Sequence, residues 1–127
     1  MIEKDTRPVN LDLTTIHLPI TGVVSILHRI SGVAIFFGFL TFVWMLDRSL
    51  SSESSFQALT IQLEEPLFKI FLILMVSGFL YHFFAGIKHL IADIFGIGET
   101  LKSSVLLSWI VLTLFIFSAL FSTLFIW

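Results

Sequence analysis

Three long runs of apolar side chains dominate the chain, at residues 22–46, 67–92 and 103–127, with short polar stretches between them. The first run is uncharged from Ile30 onward, the second from Ile70 to Ile87, and the third carries no charge at all. About 20 mostly apolar residues, rising about 1.5 Å each, cross ~30 Å of hydrocarbon, so each run has the length of a transmembrane helix. The apolar positions are continuous rather than alternating, which excludes a membrane β-barrel. The predicted fold is therefore all-α, an integral membrane bundle of three transmembrane helices forming one domain over residues 1–127. The first connection, DRSLSSESSFQALTIQLEEP, reads as a polar, Ser-rich, acidic loop. Its end, Glu64-Glu65-Pro66, suits a helix start, with carboxylates near the positive end of the helix dipole and proline in the first turn. The second connection, DIFGIGETLK, is a short Gly-containing turn.

Composition strengthens this reading. Of the 127 residues, 57% are hydrophobic and 13% charged, against about 25% charged in soluble domains. Mean hydropathy is +1.02. The 15 Phe residues read as lipid-facing bulk. With no Cys in the chain, disulfides, thiolate metal sites and Cys nucleophiles are excluded. There is no dinucleotide fingerprint and no soluble domain, so the chain is not expected to carry out catalysis alone. The net charge of −2 identifies no partner, and none is expected among nucleic acids.

Orientation follows from lysine and arginine alone. Lys4, Arg7 and Arg29 lie at the N-terminal end, and Lys88 and Lys102 flank the second connection. The opposite side holds Arg48 and Lys69, and the C-terminus has neither residue type. The expected arrangement puts the N-terminus in the cytoplasm and the C-terminus outside. The polar first 15 positions lack the Arg-rich, acid-poor character of a transit peptide. A multi-pass protein of the bacterial inner membrane, entering through its own first helix, is expected.

Candidate chemistry concentrates on two stretches. In SGFLYHFFAGIKHLIAD, His82 lies about six residues inward of Lys88, or ~9 Å in a helix. An ionisable side chain at that depth marks a functional site unless a neighbouring helix satisfies it, because leaving it unpaired in lipid is costly. Gly78, His82, Ala85, Gly86, His89 and Asp93 share one helical face. Small residues there would admit a neighbouring helix, or equally a flat macrocycle whose iron the imidazole could reach. The other stretch is SILHRISG, at the mouth of the first run. His28 and Arg29 open that helix in the same leaflet, nearer the interface than His82. Arg29 could simply snorkel to headgroups, or it could grip carboxylates in two-pronged fashion. Ser25, one turn before Arg29, could join it in hydrogen-bonding a small ring. His17 precedes Pro19 in the entry segment and is assigned no role.

These stretches resemble the two signatures of a known family. RPVNLDL followed by PITGVVSILHRISG, within residues 7–32, resembles the first signature of the cytochrome b membrane-anchor subunits of succinate dehydrogenase, respiratory complex II. YHFFAGIKHLIAD, residues 81–93, resembles the second. Order, chain length and helix number agree over the whole chain. The resemblance implies a subunit that docks a flavoprotein and an iron–sulfur subunit to the membrane beside a second small hydrophobic anchor. It implies a haem b held between the two anchors by one axial histidine from each, and ubiquinone as the electron acceptor. On this resemblance His82 is the axial ligand to the haem iron. His28 and Arg29 take the haem-propionate positions, with His89 near them, and Ser25 and Arg29 take the ubiquinone positions. The family usually has Arg immediately before the second signature histidine, where this chain has Lys88, so a propionate or phospholipid contact there is not carried over. His82 is the one deep histidine of the chain, so the second axial imidazole is expected from the partner anchor. Two other readings stand beside this one: a quinol–fumarate reductase anchor, with the same fold and the reverse flux, and a cofactor-free membrane scaffold in which His82 serves only in packing.

Overall fold

The computed structural model describes residues 17–98 and 100–127. Lys4 and Arg7, used in the charge count, and the RPVNLDL part of the first signature lie outside the described residues. The described chain forms four helices: α1 (Ile20–Ser51), α2 (Glu53–Glu64), α3 (Pro66–Phe95) and α4 (Leu101–Ile126). Three of them, α1, α3 and α4, are long and apolar enough to cross a membrane. No strand occurs among the described residues.

The long helices outrun their apolar segments, because backbone hydrogen bonding continues where hydropathy stops. α1 extends to Ser51, and the hydroxyls of Ser49 and Ser51 donate back to Leu46 O and Asp47 O at 2.8 and 2.6 Å. α3 begins with Pro66 at its first position, where its missing N–H costs nothing, and ends at Gly96, whose φ of 66° is the left-handed conformation glycine adopts freely. α4 is capped by Thr100, whose Oγ1 accepts from Ser103 N at 3.3 Å.

The first connection departs from expectation, because its middle is a helix rather than a loop. Ser52 caps α2 by accepting from Ser55 N at 3.1 Å, and Gln57 donates to Glu53 one turn away at 3.0 Å. Leu59, at 6% exposure, turns inward from this polar helix. Lys69, counted with that connection, lies in the first turns of α3 and pairs with Glu64.

α3 is the centre of the bundle, packed against α1 on one side and α4 on the other. Val24 of α1, Tyr81 and Ala85 of α3 and Val111 of α4 form the buried cluster where the three helices meet, with Phe84, Leu112 and Phe115 around it. Outside that junction the surface is apolar: Phe36, Phe37, Phe39 and Phe42 on α1 and Phe117, Phe121 and Phe125 on α4 are all more than half exposed. In a membrane such a surface faces lipid tails or partner helices.

Candidate functional site

α1 and α3 run antiparallel and approach closely because small residues line the contact. A Cβ on Gly32 would meet His82 Cε1 at 3.1 Å, one on Gly38 would meet Met75 Sδ at 3.2 Å, and one on Gly78 would lie 3.8 Å from Ala34. Tyr81, 5% exposed, donates its hydroxyl to Val24 O across this contact at 2.9 Å. Its ring meets Phe115 of α4 edge-on, with centroids 5.2 Å apart. Tyr81 therefore ties all three long helices one residue before His82.

The structure brings together three of the singled-out side chains. His28 lies between His82 and His89, with ring centroids 4.2 and 5.2 Å away and interplanar angles of 35° and 26°. His28 is brought into contact with both α3 histidines because it points along the contact face of α1. A Cβ on Gly86 would come 3.9 Å from His28 Nε2. That Nε2 is buried and has no hydrogen-bond partner among the described residues.

Hydrogen bonds fix the tautomer of His82. Its Nδ1 lies 3.1 Å from both Ser31 Oγ and His28 O. The Ser31 hydroxyl donates its proton to His28 O at 2.8 Å. A carbonyl can only accept, and the proton of Ser31 is already placed. Nδ1 must therefore carry a hydrogen and donate to both oxygens, and the lone pair of the neutral ring is left on Nε2. Both hydrogen bonds of His82 among the described residues run through Nδ1. The result is an imidazole held by its inner nitrogen, with the outer nitrogen available as a ligand.

Other expected positions fall outside this cluster. Ser25 is half-buried and Arg29 exposed, one turn apart on the flank of α1. Asp93 and His17 are exposed. The small face of α3 is divided: Gly78, His82, Gly86 and His89 turn to α1, whereas Ala85 is fully buried in the three-helix junction. Lys88 turns away from the histidines and donates to Ser108 Oγ of α4 at 3.0 Å. Ser108 is itself fully buried and donates to Ser104 O at 2.8 Å. Ser31, Gly32, Tyr81 and Ser108 were not foreseen. The one signal for Ser31 and Gly32 was their place in the first signature, at the third and fourth positions after His28. No group of three or more His, Cys, Asp or Glu side chains among the described residues is arranged to hold a metal ion by itself.

Three membrane-length helices, with stacked imidazoles clamped between two of them, define a small helical membrane subunit built around a histidine cluster. The sequence pattern of the succinate dehydrogenase/fumarate reductase transmembrane subunits matches residues 3–122, and the chain belongs to that family. The succinate dehydrogenase cytochrome b556 subunit of Coxiella burnetii is 42% identical over 89 residues, covering 69% of this chain and 71% of the relative. The protein of the same description from Rickettsia bellii is 37% identical over 105 residues, covering 81% and 79%. These relatives indicate a succinate dehydrogenase cytochrome b membrane subunit.

Proposed function

We propose that this chain is the haem b-binding anchor subunit of a succinate:ubiquinone oxidoreductase, with His82 as one axial ligand of the haem iron. The observation that carries the reading is the fixed tautomer of His82, whose Nδ1–H is engaged by Ser31 Oγ and His28 O while Nε2 keeps its lone pair. Metal-bound histidines are held in this way, by a hydrogen bond from the other ring nitrogen. The donor set fits the group in two further respects. His28 Nε2 is a buried polar atom without a hydrogen-bond partner among the described residues, and a Cβ on Gly86 of α3 would come 3.9 Å from it. The His28 and His82 rings are tilted by 35° with centroids only 4.2 Å apart, too close for both to hold one metal ion placed between them. A second imidazole for the group would be supplied by the other hydrophobic anchor subunit. The relatives' description as cytochrome b556 subunits supports haem b at this position.

Haem b, when bound, supplies a one-electron iron centre. His82 Nε2 would hold the metal, with Ser31 and the α1 backbone holding the ring in place. His28, Arg29 and His89 would hold the propionate side of the group. Ser25 and Arg29 hydrogen-bond the oxygens of ubiquinone and stabilise negative charge developing on its ring, as positioned donors do elsewhere. Electrons arrive from the iron–sulfur and flavoprotein subunits docked at the cytoplasmic ends of α1 and α3, because this chain has no Cys for clusters. The lysine and arginine count supports a cytoplasmic N-terminus, and the bacterial relatives support an inner-membrane location. The relatives named for succinate dehydrogenase favour this direction of flux over a quinol–fumarate reductase.

The test is a reduced-minus-oxidised absorption spectrum of the complex purified with its partners, for the natural chain and for His82→Leu. One b-type haem per complex that disappears or is strongly perturbed in His82→Leu is the expected result. An unchanged spectrum in the variant would overturn the ligand assignment.

A further inference from the structure

Ser31 is a hydroxyl in an otherwise apolar stretch of α1 and is only 7% exposed. Burying a hydroxyl costs free energy unless it is hydrogen-bonded. Its donor need is met by its own helix, through the bond to His28 O at 2.8 Å. That bond leaves its acceptor lone pairs facing α3. The atom that meets them is His82 Nδ1, at 3.1 Å. The serine thus has one job within its helix and another across the bundle, and the second is set by the first. Because its proton goes to His28 O, its oxygen can only accept from the imidazole.

We infer that Ser31 is a positioning residue for His82, accepting the Nδ1 proton and so raising the electron-donating power of Nε2 toward a bound metal. The inference rests on the haem reading of His82. Two acceptors on one Nδ1–H, the serine oxygen and the carbonyl of His28, hold the ring at a fixed angle to α1. Gly32, beside Ser31, keeps the space in front of Cε1 open, so the angle is met without a clash. Hydrogen bonding at the far nitrogen makes an imidazole a more basic ligand. A more basic ligand favours the oxidised form of a bound iron and lowers its reduction potential. Without the hydroxyl only the carbonyl acceptor remains, and the potential rises.

The experiment compares the natural complex with Ser31→Ala and Ser31→Thr, each purified with its partner subunits. Haem content, the haem midpoint potential and the low-temperature paramagnetic resonance spectrum of the oxidised haem are measured. Ser31→Ala is expected to keep haem but shift its potential upward, with altered low-spin resonance positions. The shift should approach a tenfold change in the oxidised-to-reduced ratio, about 59 mV for one electron. Ser31→Thr retains a hydroxyl that makes the same backbone bond, and is expected to keep the natural potential. If Ser31→Ala does not assemble, Ser31→Cys takes its place, and its weak sulfur acceptor gives a smaller shift of the same sign. Haem retained at natural content, potential and resonance position in Ser31→Ala, or in Ser31→Cys if it is used, would overturn the role of Ser31 and leave the haem reading intact. A natural complex with flavin and iron–sulfur centres but no haem would overturn both.

Discussion

Tyr81 and His82 are adjacent on α3, yet they reach α1 one helical turn apart, at Val24 O and His28 O. The first bond lies in the buried junction of three helices, and the second lies in the histidine cluster beside it. The same short segment thus secures the bundle and orients the ring proposed to bind iron.

Tyr81→Phe separates these roles. It removes a buried cross-helix hydrogen bond and leaves Val24 O with its own helical partner. Such bonds within bilayers are worth about 0.6 kcal/mol on average. The complex is expected to keep its haem spectrum and to unfold at slightly lower temperature. Loss of haem with unchanged thermal stability would contradict the division of labour.

Gly32→Ala has the opposite profile. The added Cβ would stand 3.1 Å from His82 Cε1, tighter than ordinary contact. The ring cannot give way freely, because Nδ1 is bonded to two oxygens of the same helix. Disturbing the support of a metal ligand typically costs about 10-fold or more in affinity. Titration of the apo complex with haem should show weakened binding of that order. Binding as tight as in the natural complex would show that the contact with α1 does not hold His82 in the haem-bound state.

Lys88 and Ser108 tie α3 to α4 by a hydrogen bond that involves none of the histidines. Lys88→Met and Ser108→Ala are each expected to lower thermal stability, and the double variant to lose less than the sum. The coupling should be about 0.6 kcal/mol, the usual size for such a bond in a membrane. The haem spectrum should not change in either single variant. Strict additivity would mean the pair contributes nothing as a pair.

Arg29 tests the quinone side of the reading. It is exposed on the flank of α1, so its replacement does not cut into the buried junction. Arg29→Leu should depress succinate–ubiquinone activity about 10-fold or more, the size expected for loss of a charge-stabilising donor. Succinate oxidation by a soluble dye should be largely retained. Equal loss in both assays would point to failed assembly and count against a quinone role.

The three spans were legible because lipid imposes a length and an apolar character that few other folds share. α2 was not, because its polar composition matched a loop. Its cap at Ser52 and the inward Leu59 become evident only once the chain is folded back on α1. His82 stood out because a deep ionisable group is rare. Ser31 did not, since a serine hydroxyl can satisfy itself within its own helix, and Tyr81 did not, since its ring reads as one more aromatic in an apolar span. Their importance depends on how α3 slides against α1, which local pattern does not encode. Lys88 entered the sequence reading through its charge and through a propionate or phospholipid contact that was not carried over, and the Ser108 hydroxyl that its ammonium meets on α4 was not legible in the sequence.

The acceptors at Val24 O and His28 O belong to the main chain, not to side chains. Point substitution at either position in α1 leaves both oxygens where they are. Inserting or deleting a single residue between them would rotate one carbonyl by about 100° against the other, since a turn takes about 3.6 residues. Tyr81 and His82 could then no longer be served together. The register of these two bonds thus depends on how many residues α1 counts between Val24 and His28, a constraint separate from the roles of the side chains there.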